Sequence, residues 1–118
     1  MVKLESLKKS YQFKKTLKEK KVHSDFFSIF ATKNFYKPKY KSNLLISFVM
    51  KKKIGNAVKR NKIRRKLKAI VQKLLKKRGA ISKDYTYIVF GKSNAYTQKQ
   101  TVLMPLMEQC FSKIKVKW

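Results

Sequence analysis

Three arginines lie within six residues near the middle of the sequence: Arg60, Arg64 and Arg65. The chain has 32 Lys and Arg in total, and all but four of them are Lys. A guanidinium differs from an ammonium by its planar fork of N–H donors, which grips phosphate oxygens in pairs and stacks on bases. The cluster therefore predicts phosphate contacts whose geometry lysine cannot reproduce.

The segment around these arginines is strongly basic. Residues 51–78 contain fourteen Lys and Arg and no Asp or Glu. Arg60, Arg64 and Lys68 are spaced by four, so on a helix they share one face and repel each other unless phosphates lie against them. A solvated face that only aids solubility is one alternative, and membrane binding by a basic amphipathic helix is another. The apolar residues of this helix are needed to cover a sheet, so nucleic acid is the predicted partner and no membrane is expected.

Residues that could catalyse a reaction are scarce. The net charge is +27, and the few acids are Glu5, Glu19, Asp25, Asp84 and Glu108. Two-metal hydrolysis of a phosphodiester needs several clustered carboxylates, which these scattered acids do not supply. His23 is the single histidine, and its spacing from Asp25 only weakly suggests a catalytic pair. We predict a protein that binds without catalysing, and that holds no metal or cofactor.

Length and composition are those of one folded domain spanning 1–118. A hydrophobic content of 43% in 118 residues is sufficient for a core. No apolar run approaches the roughly 18–20 residues that span a bilayer, and the N-terminus lacks the apolar stretch of a secretory signal. The lone cysteine, Cys110, fits a reducing cytosol and is expected to be a small buried hydrophobe. A cytoplasmic location is expected.

Hydrophobic periodicity predicts the elements that must position the basic residues. A first helix is expected within 4–21, with Ser10 as an internal break or cap, followed by strands over 24–32 and 43–51 and a loop over 33–43. The second strand is nearly all apolar, which predicts burial on both faces. The basic helix starts at an Asn56 cap and ends near Gly79. Its apolar stripe comprises Ile63, Leu67, Ile70, Val71, Leu74 and Leu75.

A third strand over 84–92 and a last helix over 98–115, with Pro105 awkward inside it, complete the chain. The order helix, strand, strand, helix, strand, helix predicts an α+β fold, a small sandwich of helices on a sheet.

Aromatic residues are interspersed with lysines, as in proteins that stack unpaired bases. Most of them must be core. Alternation along the first strand puts Phe26 and Phe30 on one face, with Phe27 and Ile29 on the other. One of these two faces is expected to be partly open to a ligand. The aromatic set is Phe13, Phe26, Phe27, Phe30, Phe35, Tyr36 and Tyr40.

The stretch KKKIGNAVKRNKIRRKLKAIV resembles the signature of the bacterial ribonuclease P protein subunit, roughly S-K-K-x-G-N-A-V-x-R-N-R-x-K-R. The likeness extends over nearly the whole chain, from LKKSYQF onwards. Lys51 and Lys62 depart from the pattern, and Leu17 stands where an aromatic is common. The matching or like-charged positions are Lys52, Lys53, Gly55, Asn56, Ala57, Val58, Arg60, Asn61, Arg64 and Arg65.

The resemblance implies a protein subunit that assists a catalytic RNA in removing the 5′ leader from precursor tRNA, with Mg²⁺ held by RNA and substrate and no further protein required. It implies a ribosomal-protein-like sandwich with a left-handed strand–helix–strand crossover, where general rules favour the right-handed one. A cleft between the first helix and the sheet would receive the leader, lined by Phe13, Leu17 and Phe30, with Lys53 near its edge. The implied RNA-binding residues are Lys52, Lys53, Asn56, Arg60, Asn61, Lys62, Arg64, Arg65 and Lys68.

Two other classes of protein share some of these features. A structural ribosomal or chromatin-type protein would explain the charge and the small core, but it predicts no cleft and no preference for precursor over mature tRNA. A stand-alone protein nuclease would cleave without RNA, and the small number of carboxylates argues against it.

Overall fold

Five strands form one mixed sheet in the computed structural model, which describes residues 2–77 and 79–116. The spatial order is β1-β4-β5-β3-β2, with β3 antiparallel to β2 and β5, and β4 parallel to β5. The strands are β1 (Leu4–Glu5), β2 (Lys20–His23), β3 (Phe27–Lys33), β4 (Leu44–Val49) and β5 (Tyr85–Gly91). The helices are α1 (Ser10–Lys18), α2 (Ala57–Leu75) and α3 (Gln100–Val116), with short 3₁₀ turns at Lys52–Ile54 and Ser93–Tyr96.

The predicted α+β fold is confirmed, with its three helices and three longer strands in the predicted order. Adjacent parallel strands β4 and β5 are joined through α2, which makes the expected strand–helix–strand unit. The left-handedness of that crossover stays a prediction. No helix within residues 2–77 and 79–116 combines the length and apolar character needed to cross a membrane.

The N-terminal prediction was wrong in its bounds. Leu4 lies in β1 and pairs with Leu44, and Leu7 is buried before the helix, where its N–H donates to Ser47 Oγ at 2.8 Å. The helix begins at Ser10 and is followed by the short strand β2, which the sequence did not reveal. Only Val22 of β2 is buried, because β2 is an edge strand whose other side chains are polar. With one apolar residue, such a strand has no periodic signal.

The two faces of the sheet differ in what covers them. Phe27, Ile29 and Ala31 of β3 are fully buried in the main core, which they share with α2 and α3. Phe30 lies on the opposite face, as alternation predicts. Phe26 does not join it, because it precedes the strand and packs against the main core. Burial of β4 on both faces is confirmed, since four consecutive residues from Leu44 are buried.

Helix α2 docks on the core through the predicted apolar stripe. Its buried residues are Ile63, Leu67, Ile70, Val71 and Leu74, and Leu75 is half-buried. The Asn56 cap is confirmed, because its side chain accepts a hydrogen bond from the Lys59 N–H at 2.9 Å. The helix ends at Leu75, earlier than the predicted Gly79, which has a positive φ of 76° in the following turn.

Two glycines fix the approach of α2 to the sheet. Gly55 precedes the helix at φ 151°, a conformation that other residues rarely adopt. At Gly91, a Cβ would lie 2.5 Å from Met50 Sδ and 2.9 Å from Ile63 Cγ2. The end of β5 is therefore in close contact with α2 through core residues.

Helix α3 contains Pro105 and covers the remaining core. Cys110 is buried as predicted, and this burial raises the pKa of its thiol. The buried side chains of α3 are Leu103, Met107, Cys110, Phe111 and Ile114.

Candidate nucleic-acid interface

Helix α1 crosses the face of the sheet that α2 and α3 leave free. Gln12 and Thr16, one turn apart, are buried between the helix and the strands. The Gln12 Oε1 accepts the N–H groups of Lys8 and Lys9 at 2.9 and 3.0 Å, which fixes the first turn. Leu17 lies on one flank of this buried pair and is 39% exposed. The flank that carries Leu17 borders an open cleft.

The cleft is a cavity of about 770 Å³ between α1, the sheet and the turn before α2. Phe30 of β3 and Phe90 of β5 contact each other edge to face on the sheet, with ring centroids 5.3 Å apart. Leu17 lines one side and Ile54 another. This gives an apolar, aromatic surface of the kind on which unpaired bases stack.

Ammonium groups surround these rings. The Lys21 Nζ lies 5.6 Å from the centre of the Phe30 ring, and the Lys51 Nζ lies 5.7 Å from that of Phe90. Lys53 and Lys92 also line the cleft, and no Asp or Glu is among its described lining residues. Single-stranded nucleic acid is chemically complementary to this cleft, because its bases can stack on the aromatic rings while its phosphates face the lysines.

His23 lines the same cleft but is not paired with Asp25. Its Nδ1 lies 2.6 Å from Ser28 Oγ, while the Asp25 carbonyl accepts a hydrogen bond from Asn94 Nδ2. Partial desolvation, and then the charges of Lys21 and Lys92, lower the pKa of the His23 imidazole, so the imidazole is mainly neutral near pH 7. Across residues 2–77 and 79–116, no three His, Cys, Asp or Glu side chains are grouped as metal ligands.

The first half of α2 presents a basic face next to this cleft. Asn61, Arg65 and Lys68 are exposed and Arg64 is half-buried. The Arg64 Nη1 donates to Asn61 Oδ1 at 2.8 Å, which holds the guanidinium against the helix. Both side chains, with Arg65 and the 71% exposed Val58, line a shallow depression on the helix surface.

Comparisons with known proteins assign the chain to a family. The family model of ribonuclease P matches residues 1–115. The chain belongs to the ribonuclease P protein family. Membership implies an RNA partner and a part in an RNA-cleaving complex.

Alignments with curated relatives extend over most of this ribonuclease P family member. The ribonuclease P protein component of Mycoplasma capricolum subsp. capricolum is 29% identical over 109 residues, covering 92% of this chain and 94% of the relative. That of Mycoplasma mycoides subsp. mycoides SC is 35% identical over 83 residues, covering 70% of this chain and 72% of the relative.

Solved structures share the fold. An RNase P protein mutant from Staphylococcus aureus, with defective mRNA degradation activity, has a TM-score of 0.74 and 22% identity, covering 93% of this chain and 87% of that one. The RNase P protein from Thermotoga maritima has a TM-score of 0.70 and 21% identity, covering 92% of this chain and 96% of that one.

The structure brings together most of the cleft residues that the ribonuclease P resemblance implied. Leu17, Phe30 and Lys53 line one cavity. Phe13 does not line it, and is half-buried one turn earlier on the same flank of α1. Phe90 was missed, because it pairs with Ser28 and so comes to lie diagonally beside Phe30 only through the pairing of β3 with β5. That pairing joins residues 52 to 64 positions apart in the chain, which no local pattern reveals. Lys21, Lys51 and Lys92 were missed for the same reason.

The predicted RNA-binding residues extend from the 3₁₀ turn to the middle of α2, and most of them are exposed. Lys52 and Lys53 are exposed in the turn, and Arg60 is half-buried on the helix. Asn56 also has a structural role as the helix cap. The Lys62 ammonium, where the family pattern has Arg, lies 4.8 Å from the centre of the Tyr96 ring.

Lys66 has a different role from its basic neighbours. Its Nζ donates to the carbonyls of Ala95, Tyr96 and Gln98 at 3.0, 2.9 and 2.6 Å. Desolvation, and secondarily the charge of Lys62, lowers the pKa of this ammonium. All three of its protons are used within the protein, so this ribonuclease P family member uses Lys66 to hold residues 95–98 against α2.

Replacing Lys66 by Met is expected to lower the free energy of unfolding by about 1–3 kcal/mol, because the carbonyls of residues 95–98 lose a charged donor. Urea denaturation measures this loss. The matched variant Lys62→Met, one turn away and exposed, should unfold at nearly the wild-type urea concentration but lose about one unit of the salt slope of RNA binding. If the two variants changed the urea midpoint and the salt slope equally, Lys66 would not have a structural role distinct from the RNA-binding role of Lys62.

Proposed function

We propose that this chain is the protein subunit of a ribonucleoprotein endoribonuclease that matures tRNA 5′ ends, in which a catalytic RNA supplies the chemistry with Mg²⁺. The observation that carries the proposal is the cleft: paired aromatic rings edged by lysines, beside a basic helix, in a ribonuclease P family member. In this proposal the cleft binds the unpaired 5′ leader of precursor tRNA.

The leader fits the cleft in chemistry. Single-stranded RNA exposes base faces that duplex RNA hides, and Phe30 and Phe90 present ring surface to them. Stacking tolerates any base, whereas the lysines bind the phosphates that every leader has. Such a site prefers precursor over mature tRNA because only the precursor has a 5′ leader to place in it.

The exposed side of α2 binds the catalytic RNA in this proposal. Arg64 and Arg65 provide guanidinium forks at the surface, and the Asn61 amide orients one of them. Lys52, Lys62 and Lys68 extend the surface on either side. Because this surface lies next to the cleft, one small protein can contact both RNAs and bring the leader close to the metal site of the catalytic RNA.

The charge of the chain gives it a second role. A net charge of +27 on a body with principal extents of 34 × 30 × 27 Å destabilises the free protein and favours its complex with polyanions. Two RNAs repel each other, and Mg²⁺ or a polycation can screen that repulsion. The protein therefore lowers the concentration of Mg²⁺ at which catalytic RNA and precursor associate. It would act in the cytoplasm, without a membrane or a second protein.

The test is cleavage of precursor tRNA at low Mg²⁺ by the catalytic RNA, with and without the full chain. We expect the protein to raise the initial rate by about tenfold or more. A tenfold change corresponds to about 1.4 kcal/mol, which is less than one charged hydrogen bond supplies. High Mg²⁺ should reduce the difference, because the metal then does the screening.

Two outcomes would contradict the proposal. Cleavage by the purified protein without RNA would indicate a protein nuclease. Equal rates with and without protein at every Mg²⁺ concentration would remove any role in this reaction.

A further inference from the structure

Helix α1 has a second flank, on the far side of the buried pair Gln12 and Thr16 from Leu17. Tyr11 and Lys15, one turn apart, occupy it, and Tyr11 is 54% exposed. A groove of about 280 Å³ runs along this flank. We name it the α1–loop groove; its lining residues are Lys15, Glu19, Thr32, Lys33, Asn34 and Phe35.

Three aromatic rings lie in contact beside this groove. The Phe35 ring is edge to face with Tyr11 at 6.4 Å and with Tyr36 at 5.0 Å between centroids. The Lys15 Nζ lies 5.2 Å from the centre of the Phe35 ring. The arrangement repeats the elements of the cleft, where Phe30 and Phe90 are edge to face and Lys21 lies over a ring. None of these three aromatics belongs to the main core.

The loop that carries Phe35 and Tyr36 is fixed at its start by Asn34. The Asn34 N–H and side-chain amide donate to the carbonyls of Asp84 and Lys83, both at 2.9 Å. Its Oδ1 accepts a hydrogen bond from Thr86 Oγ1 at 2.8 Å. The first residue after β3 is therefore bound to β5 and the turn before it.

The end of the same loop is fixed by Glu5 of β1. Its two carboxylate oxygens accept the Lys39 N–H at 2.9 and 3.1 Å, and its Oε1 accepts from Asn43 Nδ2 at 2.8 Å. Held at both ends, the loop presents its rings in a fixed position, which reduces the entropic cost of binding a ligand. The Glu5 carboxylate is thus part of the scaffold that holds the loop.

The Tyr36 hydroxyl is an unused polar group in this cluster. Its oxygen is buried and has no hydrogen-bond partner among the described residues. Desolvation, with the charges of Glu5 and Tyr11, raises the pKa of Tyr36 to about 12, so the group keeps its proton at neutral pH. Buried polar groups without partners are rare in folded proteins, and a bound molecule is one way to satisfy them.

The charge around the groove is mainly positive. Lys14 and Lys15 on α1, and Lys33 and Lys37 on the strand and loop, are exposed. Glu19 is the acidic residue of the lining. As in the cleft, the aromatic rings can stack with unpaired RNA bases, and the surrounding ammonium groups can bind the phosphates.

We propose that the α1–loop groove is a second binding site for unpaired RNA nucleotides, separated from the leader cleft by α1. The proposal extends the proposed function, since both sites would act in one ribonucleoprotein. The nucleotides come either from an unpaired segment of the catalytic RNA or from the precursor beyond the cleft. Both sources present the same chemistry.

The experiment titrates the full chain with a uridine tetranucleotide and follows backbone amide NMR shifts. We expect two groups of shifts, one around Phe30 and Phe90 and one around Tyr11 and Phe35. Tyr11→Ala should weaken the second site about tenfold while leaving the first unchanged, because stacking on one ring is lost. Tyr11→Phe keeps the ring and should bind as the wild type does. Val102→Ala, an exposed apolar residue on α3, is the control for surface truncation.

Separate titrations with catalytic RNA and with precursor tRNA identify the source. Weaker binding of Tyr11→Ala to either RNA, or to both, supports the site and names its ligand. Shifts confined to the cleft at saturating tetranucleotide, or a Tyr11→Ala variant that binds both RNAs as Val102→Ala does, would overturn it. If Tyr11→Ala weakens RNA binding and Phe30→Ala does not, the proposal that the cleft binds the leader is refuted, while the proposal of a second site is supported.

Discussion

Replacing Arg64 and Arg65 together by Ala should weaken binding of the catalytic RNA by about 100-fold or more. Each guanidinium is expected to make at least one charged hydrogen bond to phosphate, and such bonds contribute about 1.5–3 kcal/mol each. Both side chains line the depression on the outer side of α2 and take no part in the apolar stripe, so the fold should persist. Filter binding or fluorescence titration at fixed salt measures the loss, and thermal unfolding checks the fold.

The salt dependence separates charge from geometry in this prediction. If the wild-type surface engages about six phosphates, the log–log slope of affinity against salt should be about −4 to −5. The double Ala variant should lose about two units of slope. Replacing both arginines by Lys should keep the slope yet still weaken binding, because the ammonium lacks the bidentate fork.

Lys113 provides the matched control, since it is exposed on α3, away from the basic face of α2. Lys113→Ala should change affinity by much less than Arg65→Lys, although only the former removes a charge. Equal losses in these two variants would show that net charge alone determines binding, and that the clustering of arginines has no geometric role.

Much of the scaffold under this surface was predictable because its signals are local. The stripe from Ile63 to Leu74 has helical spacing, and Asn56 precedes it as a cap, so both the helix and its buried side follow from the sequence. The same holds for the opposed faces of β3, where Phe27 and Ile29 enter the core. Local periodicity therefore determined the buried side of α2 and the inward-facing residues of β3, but not the buried side of α1, which consists of the polar residues Gln12 and Thr16.

Features that depend on long-range contacts were not predictable. Strand β2 is recognisable only from its pairing with β3, since Val22 is its one buried residue. Lys66 looks like any lysine of the basic face in sequence, yet its ammonium binds three carbonyls about thirty residues away. Periodicity shows which face a residue is on but not which atoms it will meet, and that is why the cleft was only partly predicted.

The remaining prediction concerns the cleft that we propose binds the leader. Phe30→Ala should weaken binding of precursor tRNA to the assembled ribonucleoprotein by roughly tenfold, within the range expected for losing one stacked base, and leave mature tRNA unaffected. Phe30 is half-buried on the open face of the sheet and lies outside the main core, so its loss should affect the cleft more than the fold. Binding is measured by rapid mixing, before cleavage.

Two companion variants sharpen this test. Phe30→Tyr keeps a ring at the same place and should retain most of the precursor affinity. Leu17→Phe adds a ring on the opposite side of the cleft, at an exposed position, and should raise precursor affinity without changing that for mature tRNA. If Phe30→Ala weakens precursor and mature tRNA equally, the cleft does not distinguish the leader. The preference for precursor must then come from contacts elsewhere.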